Sequence, residues 1–103
     1  MKNISILYIG KDKDILETML RVINKNPDWK GTGESSIEKA KKQLVDNRFS
    51  IILLGNGLST DEEKEIENYV LEQELSIPVI QHYGGGSGLL QSEIFTALNQ
   101  KKS

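Results

Sequence analysis

Apolar residues along this chain follow two patterns, short consecutive runs and helical spacing. Runs at 49–54 and 77–81, and a similar one at 4–9, are typical of parallel strands buried on both faces. Between the runs, apolar residues recur every three or four positions, which predicts amphipathic helices. A weaker strand containing two glycines is predicted at 29–34. Strands separated by helices indicate right-handed crossovers and a parallel sheet with helices on both faces.

Capping residues mark where the predicted helices begin. Asp12 or Asp14 is expected to cap the first helix, which stops at Asn26-Pro27. Pairs with the spacing of a capping box are Asp14 with Glu17, Ser35 with Glu38, and Ser59 or Thr60 with Glu62 or Glu63. The second helix is predicted to end near Asn47 and the third near Glu74. A last helix is predicted at 92–100, with its inward side chains at Ile94, Phe95 and Leu98.

The buried residues of the predicted elements favour one fold class. The runs at 4–9 and 49–54 are the most apolar, so these two strands should be central. This favours a flavodoxin-like three-layer α/β/α fold with strand order 2-1-3-4. Leu89-Leu90 could add a very short fifth strand. The second helix is expected to bury Ile37, Ala40, Leu44 and Val45. With neither an internal repeat nor a linker, residues 1–103 are predicted to form one domain.

Composition narrows the chemistry that is open to the chain. Its 103 residues include no cysteine and one histidine, His82, which excludes disulfides, thiol catalysis and a multi-histidine metal site. A net charge of −2 gives no general attraction to nucleic acid, and no apolar run is long enough for a membrane span. Because the first strand pattern begins beside Met1, we expect no signal peptide, and we expect a cytoplasmic protein.

Three segments resemble a known family. The run FSIILLGNGLS at 49–59 resembles the third strand and following loop of response-regulator receiver (CheY-like) domains. ILYI at 6–9, followed by Asp12, is similar to the receiver's first strand and the start of its first helix. IPVI at 77–80 resembles the fourth strand. The resemblance covers residues 4 to about 83, in order, and implies a signal-transduction module of flavodoxin-like fold.

The same resemblance implies that the receiver's phosphorylation site is degenerate. Its phosphoacceptor aspartate falls on Gly55, and the acid pair that holds Mg²⁺ falls on Gly10 and Lys11, with Asp12 one position late. The fourth-strand hydroxyl residue falls near His82 or Tyr83, and the fifth-strand lysine is absent. The interval between the fourth strand and the last helix is also too short for the usual helix and strand. We therefore expect a C-terminally shortened pseudo-receiver that is not an enzyme and has no cofactor or metal.

A glycine-rich segment offers an alternative function. Gly84, Gly85, Gly86, Ser87 and Gly88 follow the fourth strand and precede the last predicted helix. Backbone N–H groups of such a loop can hold phosphate, although the spacing matches no known phosphate-binding motif. The first interpretation is a flexible connection, and the second is a small phosphate- or nucleotide-binding protein or enzyme that also uses Gly55–Gly57 and His82. His82 with Tyr83 could form an acid–base pair, but a structural histidine is favoured.

Charge and apolar surface suggest a protein partner. The second helix is basic and the third is acidic, which indicates either solvated faces or a docking surface for a basic partner. These residues are Lys39, Lys41, Lys42 and Arg48, then Asp61, Glu62, Glu63, Glu65, Glu67, Glu72 and Glu74. Trp29 is expected to pack on the sheet rather than anchor an interface. The shortened C-terminal third should uncover apolar surface, so a homodimer or heteromer is expected through the fourth strand, the glycine loop and the last helix.

Overall fold

A computed structural model of the chain describes residues 4–55 and 57–81. Four parallel strands form one sheet in the order β2-β1-β3-β4, as the sequence predicts, and helices flank it in a flavodoxin-like arrangement. The elements, in chain order, are β1 (Ile4–Ile9), α1 (Lys13–Asn24), β2 (Trp29–Glu34), α2 (Ile37–Asp46), β3 (Ile51–Leu54), α3 (Thr60–Glu72) and β4 (Val79–Gln81). The glycine loop, the last helix and the fifth strand of the sequence prediction lie outside the described residues.

The two central strands supply most of the core. Every residue of β3 is buried, and so are the last four of β1. Because side chains alternate along a strand, Tyr8 and Leu53 point to the face that α1 covers, whereas Ile9 and Leu54 point to α2 and α3. Tyr8 pairs with Leu53 in the register of the two strands. Trp29 is 1% exposed and packs with the α1-side cluster, as predicted.

Capping explains where the helices begin. Asp12, rather than Asp14, caps α1 through its carboxylate, so the predicted box of Asp14 with Glu17 is wrong. At the other end of a helix, Asn47 is the C-cap of α2, as predicted. Ser59 and Glu62 form a complete capping box at the start of α3. The predicted box of Ser35 with Glu38 is wrong, since the Oγ of Ser36 accepts the N–H of Lys39 and α2 begins one residue later than expected.

Other predictions for the α2, β3 and β4 region need correction. Val45 is not part of the buried stripe of α2, because 70% of it is exposed. Strand β3 begins at Ile51 rather than at position 49, and β4 begins at Val79 rather than at 77. Phe49 and Ile77 still pack in the core on the α2–α3 side, so their apolar character reports burial rather than strand pairing.

The two glycines of β2 let α1 pack closely on that strand. A Cβ atom at Gly33 would lie 2.6 Å from Leu20 Cδ1 and 2.9 Å from Leu16 Cδ1. The side chains of α1 therefore occupy space that a larger β2 residue would fill. This close approach of α1 explains why glycine occupies these two positions of β2.

Candidate functional site

The loops after β1 and β3 bring most of the described predicted site residues to one edge of the sheet. Gly10 follows β1, and its N–H donates to the carbonyl of Glu34 at the end of β2 (3.1 Å). Gly55 follows β3, and its N–H donates to the carbonyl of Ile9 (2.7 Å). Both glycines are buried. This is the carboxyl edge, where proteins of this fold class bind ligands.

The space beside Gly55 is filled by Tyr8. A Cβ atom at position 55 would overlap the Tyr8 hydroxyl oxygen and lie 2.6 Å from ring carbon Cζ. Tyr8 is 1% exposed, and its flat ring cannot rotate away as the tip of an aliphatic chain can. Burial also raises the pKa of the Tyr8 hydroxyl, so it stays neutral at physiological pH. No side chain, acidic or otherwise, fits at position 55 while Tyr8 keeps this place.

Lys11 links the loop after β1 to the start of α3. Its ammonium Nζ lies 2.9 Å from Glu62 Oε2. Its stem packs against Gly57, where a Cβ atom would lie 2.8 Å from Lys11 Cβ. Gly57 has φ of +92°, a conformation that favours glycine, so the turn and the close approach require the same residue. The position that the resemblance matched to a metal ligand therefore carries a positive charge with a carboxylate partner.

Glu62 has two further reasons to be ionised. Its Oε1 accepts the backbone N–H of Ser59 at 3.0 Å as part of the capping box. That backbone hydrogen bond, followed by the Lys11 ammonium, lowers the pKa of Glu62 below its usual value. Glu62 is thus ionised throughout the neutral range.

Asp12 is engaged in helix capping. Its Oδ1 accepts the backbone N–H groups of Asp14 (3.0 Å) and Ile15 (3.1 Å). This geometry supports the capping interpretation over the cation-binding one. Across residues 4–55 and 57–81, no three acidic or histidine side chains cluster in a way that could hold a metal ion.

Glu63 is a buried carboxylate at this edge whose position sequence reasoning did not distinguish. By sequence, Glu63 is one of the seven acids of the acidic third helix, a predicted solvated face or docking surface, yet it is only 8% exposed. Gln81 Nε2 donates to Glu63 Oε1 at 3.1 Å, which ties α3 to the end of β4. Glu63 lies three and seven positions before the buried Ile66 and Val70, and this helical spacing was the signal available in the sequence.

The basic and acidic helices partly neutralise one another. Lys41 Nζ lies 2.6 Å from Glu65 Oε2 and 5.5 Å from the centre of the Tyr69 ring. One cation of the α2 set and one anion of the α3 set are therefore paired within the chain. The remaining exposed charges of the two helices are consistent with solvated faces.

Several predicted site residues lie outside the described part of the chain. These are His82, Tyr83, Gly84, Gly85, Gly86, Ser87 and Gly88, which include the whole candidate anion-binding loop. No helix within residues 4–55 and 57–81 has the length and apolar character that crossing a membrane requires.

Comparison with known proteins shows similarity of fold without a family. No family model matches the chain, and no curated protein matches it. A sensor protein from Polaromonas sp. JS666 has a TM-score of 0.74 at 13% identity, covering 95% of this chain and 98% of its own. A pilus assembly-related protein from Burkholderia pseudomallei has a TM-score of 0.61 at 18% identity, with 93% and 74% covered. A fusion containing the yeast Spc42 trimeric coiled coil has a TM-score of 0.78 at 14% identity, with 99% and 83% covered. At these identities the likeness establishes the fold alone.

Proposed function

We propose that this protein is a pseudo-receiver, a receiver-like domain that acts by binding a protein partner rather than by accepting a phosphoryl group. The observation that carries the proposal is the Tyr8 ring against Gly55. The position matched to the phosphoacceptor has no nucleophile, and the room that an aspartate side chain needs there is filled by a buried aromatic ring.

The cation-binding half of the matched site supports the same conclusion. Phosphoryl transfer to a carboxylate needs Mg²⁺ to neutralise charge, and Mg²⁺ needs oxygen ligands. Lys11 instead places an ammonium group 2.9 Å from the Glu62 carboxylate, while the Asp12 carboxylate accepts two backbone N–H groups. A divalent ion at this edge would meet a positive charge and carboxylates that already have partners.

A signalling role for the module is supported by the proteins that share its fold. One is described as a sensor protein and another as a pilus assembly-related protein. The partner we propose is a protein, a second copy of the chain included. The interface expected from the sequence, through the fourth strand, the glycine loop and the last helix, stays a prediction, because most of it lies outside the described residues.

Intact-mass spectrometry tests the loss of phosphotransfer chemistry. The protein would be incubated with acetyl phosphate and Mg²⁺, beside a receiver domain with an intact phosphoacceptor as the positive control. We expect the control to gain a phosphoryl group and this protein to gain none. A phosphoryl adduct mapped to the residues after β1, β3 or β4 would overturn the proposal. Saturable binding of inorganic phosphate or ATP in calorimetry would instead favour the phosphate-binding alternative.

A further inference from the structure

A groove opens at the amino ends of β3 and β4, at the opposite edge of the sheet from Gly55. It has a volume of about 600 Å³ and lies between the C-terminal ends of α2 and α3. Leu44, Phe49, Leu75 and Ile77 contribute apolar lining. A smaller cavity of about 230 Å³ shares Leu44 and Leu75 with the groove and extends towards Tyr69. Together they form one partly apolar depression, which we call the α2–α3 groove.

Val45 stands at the rim of this groove. It contributes to both cavities, and 70% of it is exposed, unlike the rest of the apolar stripe of α2. An exposed valine beside the apolar part of the groove lining adds apolar surface that water solvates poorly. The same patch therefore has both a protrusion and a recess.

Glu74 lies on the groove in a backbone conformation that a glutamate residue does not favour. Its φ is +54°, in the left-handed region. The N–H of Glu74 donates to the Leu71 carbonyl and the N–H of Leu75 to the Val70 carbonyl, a Schellman motif in which glycine is the usual residue at position 74. Its carboxylate also lies at the negative end of α3, where no basic residue occupies the last turn. Two unfavourable features at one residue indicate a role outside the stability of the isolated chain.

Arg48 provides the opposite charge on the same groove. Both Arg48 and Glu74 line it, but they are too far apart to form an ion pair with each other. The ion pairs within residues 4–55 and 57–81 are Lys11–Glu62 and Lys41–Glu65, so Arg48 and Glu74 each lack an ionic partner in this part of the chain. The groove thus carries one positive side chain, Arg48, and two negative ones, Asp46 and Glu74, beside its apolar lining.

We propose that the α2–α3 groove binds the same groove of a second copy of this chain, in a two-fold symmetric pair. A two-fold interface needs a self-complementary patch, and this patch has a protruding valine, a recess to receive it and charges of both signs. Rotation about the axis places Arg48 of each copy against Glu74 of the other and Val45 of each copy over the apolar lining of the other. The inference goes beyond the proposed function, since it does not depend on Gly55 or on phosphotransfer.

Charge exchange combined with sedimentation velocity tests the pair. The protein and its variants would be compared from about ten to several hundred micromolar at low salt, where charge pairs are least screened. We expect a concentration-dependent dimer, at least tenfold weaker in Arg48→Glu and in Glu74→Arg, and restored in the variant that carries both changes. Val45→Asp should also abolish it. Matched controls are Lys39→Glu and Glu67→Arg, which reverse exposed charges away from the groove and should leave the dimer unchanged.

A second measurement separates loss of binding from loss of folding. Glu74→Gly removes the charge and relieves the left-handed conformation, so its urea midpoint should rise while its dimer weakens. A protein that is monomeric at several hundred micromolar would overturn the proposal. So would a dimer that is indifferent to Val45→Asp and to both charge reversals. The phosphodonor experiment has a separate readout, so failure of this pair leaves the proposed function standing.

Discussion

Adding a single methyl group at position 55 should destabilise the protein through Tyr8. In Gly55→Ala the new Cβ overlaps the Tyr8 hydroxyl oxygen and approaches Cζ to 2.6 Å, inside a core where Leu53 is fully buried. Overpacking of this kind costs about 1–3 kcal/mol. The lower entropy of the unfolded alanine variant returns about 0.4–1 kcal/mol. The two ranges leave a net loss of about 0–2.6 kcal/mol in the free energy of unfolding, and the close approach to a buried ring places our expectation in the upper half of that range.

Gly33→Ala is the matched control for this substitution. Its Cβ would come equally close to a neighbour, 2.6 Å from Leu20 Cδ1, but that atom is the tip of a rotatable, partly buried side chain. Small rotations of Leu20 and of Leu16, whose Cδ1 would lie 2.9 Å away, relieve these contacts, whereas the buried Tyr8 ring cannot turn away. The loss at Gly33 should be below about 1 kcal/mol, because adjusting the rotamers of partly buried leucines costs less than displacing a packed, buried ring.

A double-mutant cycle identifies Tyr8 as the cause. Tyr8→Leu should itself cost about 2–4 kcal/mol, since it removes buried ring atoms. In that background Gly55→Ala should cost about 1–2 kcal/mol less than in the parent, which is a coupling energy typical of residues in contact. Urea unfolding with an unchanged m-value measures each corner of the cycle. Equal costs for Gly55→Ala in both backgrounds would refute the argument that Tyr8 closes this position.

Three further substitutions test other parts of the structure. Because the pKa of Glu62 is lowered in the folded protein, its ionised carboxylate stabilises the fold fully at pH values above the ordinary glutamate pKa of about 4.3. This stabilisation is lost as pH falls through the lower pKa of the folded state. The parent should therefore lose more stability than Glu62→Gln across that acid range, by up to about 1 kcal/mol for an exposed pair. Parallel urea titrations with Glu67→Gln would show whether the effect is general to acids. Glu74→Gly should gain about 1 kcal/mol by relieving the left-handed backbone, as measured by thermal unfolding; a loss would contradict the strain at that residue. Leu53→Ala should cost about 2–5 kcal/mol, whereas Val45→Ala should cost under 1 kcal/mol, and similar denaturant midpoints for the two would refute their assigned burial.

Burial of the central strands made the sheet predictable from sequence. The runs at 4–9 and 49–54 have almost no polar residue, a pattern typical of strands in the middle of a parallel sheet. Helix caps were harder, because Ser35 and Ser36 are chemically equivalent and only the backbone geometry selects Ser36. Val45 has the spacing of a buried residue, but α2 ends at Asp46 and no described element covers its last turn. Periodicity reports which face is apolar and does not report where the covering layer stops.

The candidate site also combines features that the sequence predicts with features that it does not. That Gly55, Gly10 and Lys11 share one edge follows from strand order, since each follows a central parallel strand. The contact between Tyr8 and Gly55 needs the register as well, because a shift of one residue would turn Tyr8 to the other face. A glycine directly after an apolar strand run, beside an aromatic residue in the neighbouring strand, was the available signal. The Lys11–Glu62 pair depends on loop conformation, which sequence periodicity does not encode.

The fit of Tyr8 against Gly55 also constrains how this sequence can evolve. Gaining an acid at position 55 alone creates a steric clash, and shortening Tyr8 alone opens a cavity, so each first step lowers stability. With domains of this size stable by only about 5–15 kcal/mol, a loss of a few kcal/mol is a large selective cost. Selection on stability therefore separates this sequence from any descendant with an aspartate at 55, even where that aspartate would be useful. The two positions should covary among its relatives, with small residues at 8 accompanying any side chain larger than hydrogen at 55.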